Sequence, residues 1–262
     1  MPSTDPTAKR LKQIHSEMIS GRLSDGPTRG NRTMKKLATE AQGTPLLELN
    51  DVARTYGDRV VLDGVSLRLH RGECVSLVGE NGSGKSTLLR IAAGRETPTE
   101  GSVLFDGHPI DEDSSEVRGR VASAMDTGAF YPDLTVCEHL QLVALSHGMG
   151  NAAEAAVERV LTAHRLEARA SQVPSALSSG QTQALLLATA FVRPHDLLIL
   201  DEPEQRLDSS ARRQLAELIA AHRDRGTAVL MATHHQVLND VADHIVELGS
   251  GTVTEMDCES GR

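Results

Sequence analysis

From Leu46 onward the apolar positions come in short runs broken by turn residues: "LLELNDV", "VVLDGVSLRL" and "CVSLVG". Each run predicts a strand. The third enters a glycine loop and then "KSTLLRIAAG", whose apolar residues recur at helical spacing up to Gly94. Further on, Thr135 opens "TVCEHLQLVAL" with Glu138 three residues later, the pattern of a capping box, and Asn151 opens a second helix, "NAAEAAVERVLTAH". The runs "DLLILDEP" and "AVLMATHH" do not alternate, so they predict fully buried strands of a parallel sheet. Between them, "SSARRQLAELIAAHRDRG" predicts an amphipathic helix. The order of these elements is that of an α/β protein with a helical insertion.

Residues 1–44 break this pattern. They are rich in Ser, Thr, Gly, Pro and basic residues and are expected to form a basic, disordered extension, with a short basic helix over "AKRLKQIHSEMIS" as its one patterned stretch. They hold 8 Lys and Arg against 4 Asp and Glu, which leaves 19 against 32 in the rest of the chain, a balance of −13. An acidic body of that kind has no general attraction for phosphate backbones, and no nucleic-acid partner is expected. Cys74, Cys137 and Cys258 are widely spaced and form no metal-ligand pattern, as expected in a reducing compartment. The longest apolar run, "ALLLATAFV", is too short to span a bilayer.

Charge also singles out one position. The chain has five lysines, and Lys85 is the only one beyond residue 44, so arginine carries nearly all the positive charge of the body. A site that keeps lysine against that background wants a compact ammonium rather than a planar fork. Lys85 lies in Gly79-x-x-x-x-Gly84-Lys85-Ser86, a loop type in which successive N–H groups and a helix N-terminus surround phosphates. Gly79, Asn81, Gly82, Ser83, Gly84, Lys85, Ser86 and Thr87 are the expected cradle, with Lys85 on the terminal phosphates and the Ser86 hydroxyl on Mg²⁺.

Three further stretches carry candidate chemistry. "LLILDEP" places Asp201 and Glu202 at the carboxyl end of a buried strand, where ligands sit in open parallel sheets. Asp201 is expected on Mg²⁺, and Glu202, on the opposite face by period-two geometry, on the attacking water. "MATHH" ends the next strand with Thr233, His234 and His235, and a histidine there could hydrogen-bond a γ-phosphate or polarise the water. "LSSGQ" places Ser178, Ser179, Gly180 and Gln181 at the start of an apolar helix. It reads as an N-cap or as a second anion site, some 90 residues from Lys85 and not bound to face its own loop.

The phosphate loop, "LSSGQ", "LILDEP" and "THH", in that order over residues 46 to 250, resemble the ATP-binding-cassette (ABC) ATPases, the nucleotide-binding subunits of ABC transporters. The resemblance implies a P-loop NTPase fold: a RecA-like parallel core, an antiparallel β subdomain and an α-helical subdomain inserted at about 127–180, all within 45–250, followed by a short tail over 251–262. It implies ATP and Mg²⁺ as cofactors. It also implies a head-to-tail dimer in which Ser178, Ser179, Gly180 and Gln181 of one chain close over ATP held by Lys85 of the other. By the same resemblance Tyr56 stacks on adenine, Glu202 is the general base, His234 the switch histidine and Asp208 part of an inter-subunit loop. A separate integral membrane permease would be the partner, holding the protein at the cytoplasmic face of the membrane.

Departures from the family pattern are also visible. Asp126 stands where the family has a glutamine, and is a candidate Mg²⁺ ligand through its oxygen. Ser179 replaces the first glycine of the signature, where a positive φ would cost about 1–2 kcal/mol. Glu204, Gln205 and Arg206 occupy positions where small residues are common. The competing reading, a soluble ABC ATPase acting on nucleic acid or ribosomes, expects coiled coils, zinc modules or a second cassette, and the sequence has none of these. A small-molecule kinase or GTPase would not explain "LSSGQ" ahead of "LILDEP". With no importer-type extension beyond about residue 250, export is the expected direction.

Overall fold

A computed structural model describes residues 43–125, 130–249 and 251–256. The predicted N-terminal extension over residues 1–42 and the position of Asp126 lie outside the described residues.

The first strands build an antiparallel sheet. β1 (Leu47–Tyr56) pairs with β2 (Arg59–Leu69) and β4 (Glu100–Phe105), and the short β5 (His108–Pro109) adds to β4, giving the order β2-β1-β4-β5. A second sheet has the order β10-β9-β3-β8-β7-β6, from β3 (Cys74–Val78), β6 (Val121–Ala124), β7 (Leu197–Asp201), β8 (Ala228–Ala232), β9 (His244–Gly249) and β10 (Thr252–Met256). The strands β9, β3, β8, β7 and β6 run parallel, and β10 closes the edge antiparallel to β9. Residues 252–256, expected to be tail, are therefore an edge strand. The pairing of Val253 with Leu248 and Thr254 with Glu247 carries the sheet past the boundary expected at 250.

The continuous apolar runs of β7 and β8 have a packing explanation. Successive side chains on a strand point to opposite faces, and here each face meets its own core. Leu197 and Ile199 of β7, with Leu230 of β8, join a core that includes the antiparallel sheet and Leu88 and Ile91 of α1 (Lys85–Ala92). Leu198 and Leu200, with Val229 and Met231, join a second core shared with α3 (Val136–Ser146), α4 (Ala153–Ala163), α5 (Ser179–Phe191) and α6 (Ser209–Asp224). The small α2 (Ser115–Arg120) precedes β6, and α7 (Gln236–Asn239) follows β8.

Some helix ends follow the capping chemistry read from the sequence and others do not. Thr135 and Glu138 form the expected capping box, the Thr135 N–H donating to Glu138 Oε2 at 2.8 Å. Asn151 does not cap α4: it lies inside a 3₁₀ turn, Gly150–Ala152, and Ala152 stands at the N-cap with no side-chain bond. The preceding 3₁₀ turn bonds the chain at that point, so no cap is left for an amide to make. Just past α1 and its C-cap Ala93, Gly94 has φ 75° and Arg95 N–H reaches back to the Arg90 carbonyl at 2.9 Å, the left-handed stop that glycine favours.

Candidate nucleotide site

Two cavities share Ser86 and Glu202. The larger, about 410 Å³, is lined by Tyr56, Asn81, Gly82, Gly84, Lys85 and Thr87, among others. The second, about 300 Å³, brings Ser86 beside Asp201, Glu202, Gln205 and Arg206. Residues from β1, the glycine loop and the end of β7 thus meet at the carboxyl ends of the parallel strands, where α/β sheets place ligands.

The loop is shaped by glycine where the backbone crowds its neighbours. Gly79 has φ 146°, and a Cβ there would collide with the carbonyl oxygen of Leu248. Gly84, at φ 104°, would bring a Cβ within 2.9 Å of Leu62 Cδ2 and 3.0 Å of the Val61 carbonyl oxygen. Lys85 is only 5% exposed, and its ammonium donates to the carbonyls of Gly79 (2.7 Å) and Glu80 (3.0 Å). Ser83 Oγ is shut off from solvent with no hydrogen-bond partner among the described residues. An acceptor-rich group seated in the loop would satisfy this hydroxyl and take up the remaining donor of the ammonium.

Tyr56 is 43% exposed at the mouth of the larger cavity. The Arg54 guanidinium lies 4.6 Å from its ring centroid, and its hydroxyl donates to Glu96. Glu96 also meets Arg54 at 2.8 Å and Arg90 at 3.4 Å. Burial pushes the Glu96 carboxyl up, but the Tyr56 hydroxyl and the two guanidiniums outweigh it and hold it below its ordinary value. Arg54, Arg59, Arg90 and Glu96 were not read from the sequence. Glu96 lies forty residues from Tyr56, and no spacing rule links them.

Glu202 departs from the expected alternation. It follows the last residue of β7 with φ 44°, so the chain turns there and Asp201 and Glu202 line one cavity rather than opposite faces. Its N–H still donates to the Ala232 carbonyl at 2.9 Å, and Gln205 Nε2 donates to its carboxylate. His234 Nε2 stands 3.8 Å from Glu202 Oε1, beyond a hydrogen bond. The His234 N–H donates to Glu204 Oε1 at 3.2 Å, and the Thr233 hydroxyl donates to the same oxygen at 2.5 Å.

Ser178, Ser179, Gly180 and Gln181 line neither cavity. Ser178 caps α5 in a capping box, its N–H donating to Gln181 Oε1 at 3.0 Å. Ser179 is the first residue of α5, with no positive φ, so the expected strain at that position is absent. Gly180 is the demanding residue, because a Cβ on it would stand 2.8 Å from the Arg206 carbonyl oxygen. Asp208 caps α6, accepting from the Ala211 N–H at 2.8 Å, a bond that lowers the pKa of its carboxyl.

Among the described residues no group of three or more His, Cys, Asp or Glu could hold a metal. The Ser86 hydroxyl and the carboxylates of Asp201 and Glu202 share the smaller cavity. That sparse oxygen set fits a magnesium ion, which keeps several waters and takes substrate phosphates, and does not fit a dedicated protein cage. Cys74 and Cys137 are free thiols, and burial pushes Cys74 up to about 12, which leaves it inert. No described helix is long and apolar enough to cross a membrane.

Comparison with known proteins agrees with this geometry. The family model described as ABC transporter matches residues 62–205. The Nod factor export ATP-binding protein I of Cupriavidus pinatubonensis is 38% identical over 192 residues, which is 73% of this chain and 59% of that protein. The aliphatic sulfonates import ATP-binding protein SsuB of Escherichia coli K12 is 39% identical over 74% of this chain and 72% of its own length. A solved ATP-binding subunit of an ABC transporter is 32% identical, with a TM-score of 0.73 over 80% of this chain and 89% of its own. A dimeric bacterial ABC transporter cassette superposes with a TM-score of 0.74 at 27% identity, covering 80% of this chain and 97% of that one. The family match spans the phosphate loop, the capped helix at Ser178 and the strand ending in Asp201, and the chain belongs to the ABC transporter family of ATP-binding subunits.

Proposed function

We propose that this chain binds and hydrolyses ATP as the nucleotide-binding subunit of an ABC transporter, paired head to tail with a second ATPase subunit and attached to a separate membrane permease at the cytoplasmic face. The observation that carries the proposal is the joining of Tyr56, the glycine loop and the Asp201–Glu202 corner around two cavities that share Ser86 and Glu202.

Each residue has a role that its chemistry supports. Tyr56 offers a ring face to adenine, with Arg54 on the ring. Lys85 and the loop N–H groups hold the phosphates. Ser86 and Asp201 would hold Mg²⁺, whose charge counters that of the phosphates when bound. Glu202 takes the proton of the attacking water, and His234, near Glu202, donates to the reacting phosphate. The exclusion of Ser178, Ser179, Gly180 and Gln181 from the chain's own cavities favours their use by a second copy. Two dimeric structures of one solved relative, one of them bound to ADP and Pi, support the same reading.

Exporter and importer relatives align with this chain at 38% and 39% identity, so similarity does not favour the export expected from the sequence. The test is Glu202→Gln. ATP binding should be retained while turnover falls ~10²-fold or more, and the variant should dimerise in saturating Mg-ATP. Near-normal hydrolysis, or a monomer under those conditions even with the permease present, overturns the proposal.

A further inference from the structure

A second concave site lies away from both nucleotide cavities. Phe191 and Arg193 come just before β7, and Arg225 just before β8, so the site sits at the opposite strand ends from Asp201 and Thr233. Its volume is about 380 Å³, within the range of small-molecule pockets. Val160, Phe191 and Leu218 give it an apolar floor. His222 stands edge-on to the Phe191 ring at 4.9 Å, and His195 stacks on His222 at 5.1 Å, so an aromatic wall backs the floor.

The charge of this cavity runs against that of the chain. Arg159, Arg193 and Arg225 line it, and no Asp or Glu does. Some arginines elsewhere are paired, as in Arg54 with Glu96, Arg120 with Glu116 and Arg223 with Asp243. None of the three cavity arginines forms an ion pair with a carboxylate among the described residues. What sets the cavity apart is that three guanidiniums converge on it with no carboxylate in its lining. Arg193 is the most constrained. It donates to the carbonyls of Arg118 and Val121, while its Nε is shut off without a partner. Burial and the charge of Arg95 push it down to about 10, the signature of a cation that lacks a counter-ion. His164, also on the wall, has an Nε2 that is likewise enclosed and unpartnered.

We infer that this cavity binds a small amphipathic anion, a carboxylate on a short aliphatic or single-ring body. The guanidinium fork matches a planar carboxylate, and the Val160, Phe191 and Leu218 floor takes the apolar part. Inorganic phosphate would leave that floor uncovered. The inference does not depend on the role of the nucleotide cavities.

The test titrates benzoate and hexanoate into the full chain saturated with Mg-ADP, followed by NMR, with hexylamine and hexanol as controls. Saturable one-site binding of both carboxylates, with hexylamine excluded, is expected. The exposed Arg159→Ala and Arg225→Ala changes should each weaken it about fivefold. Non-saturating binding, equal binding of hexylamine, or no change in the Arg159/Arg225 double variant each overturns the inference.

Discussion

Gly180→Ala tests whether the signature glycine is held by packing within its own chain. The added Cβ would stand 2.8 Å from the Arg206 carbonyl oxygen, closer than the 3.0 Å below which something must shift. Neither side yields easily. Gly180 is in the first turn of α5, fixed by the Ser178–Gln181 capping box, and Arg206 is in a turn at φ 61°. Overpacking of this kind costs about 1–3 kcal/mol. Against it stands the gain of alanine over glycine in a helix, about 1 kcal/mol at most and less in a first turn. The clash wins, for a net loss of about 0.5–2 kcal/mol. For a domain of this size that lowers Tm by about 1–8 °C. Thermal unfolding followed by circular dichroism on nucleotide-free protein reads this term without any dimer. Ser179→Gly is the control: with no positive φ at residue 179 it relieves nothing and should not raise Tm. A Gly180→Ala protein with unchanged or higher Tm would refute the packing argument and leave nucleotide contact as the glycine's only role.

Tyr56→Ala should weaken ATP binding about 5- to 150-fold, the worth of one base–aromatic stack. Glu96→Ala should weaken it less, since the ring remains and only its anchor is lost; unchanged affinity in Tyr56→Ala, measured by calorimetry, would remove the residue from the site. Acid should destabilise the fold above the carboxylate range. Burial pushes His164 down to about 4 and, with the charges of His195 and Arg225, His222 down to about 3. The unfolded chain therefore takes up protons near pH 6.5 that the folded chain refuses, so stability is full above 6.5 and falls as pH drops. For His164 alone this is about 2 kcal/mol between pH 7 and 5, or about 4–8 °C in Tm. A Tm that stays flat over that interval, or whose slope is not reduced in His164→Phe, would refute the assignment.

How much of this was legible beforehand depended on the range of the forces involved. The strands β3, β7 and β8 and the helices α1 and α6 were readable because burial on both faces or one face writes itself into residue spacing. The capping box at Thr135 was readable because three residues suffice to make it. Asn151 misled, since an N-cap residue type says nothing of a 3₁₀ turn that already satisfies the helix end. β10 was missed because an edge strand of five residues, Thr252–Met256, takes its identity from its partner β9 and not from its own sequence. In the site, the glycine loop and Asp201 came from the sequence, whereas the Arg54–Tyr56–Glu96 group depends on long-range packing that no local pattern encodes.

The turn after β7 shows why the departures at 204–206 belong together. Read along the chain, Glu204, Gln205 and Arg206 are three oversized residues. In space each makes a different connection. Glu204 is 8% exposed and ties the turn to Thr233 and His234 at the end of β8. Gln205 holds the carboxylate of Glu202. Arg206 presses its carbonyl against Gly180 at the start of α5. Glu202 and Arg206 both sit at positive φ, a conformation that costs non-glycine residues about 1–3 kcal/mol unless the surroundings impose it. Those three contacts are the surroundings that impose it. A turn so fixed cannot move at Glu202 without moving against β8 or α5. The proposed base, the proposed switch histidine and the start of α5 are therefore joined by direct contacts within a single chain.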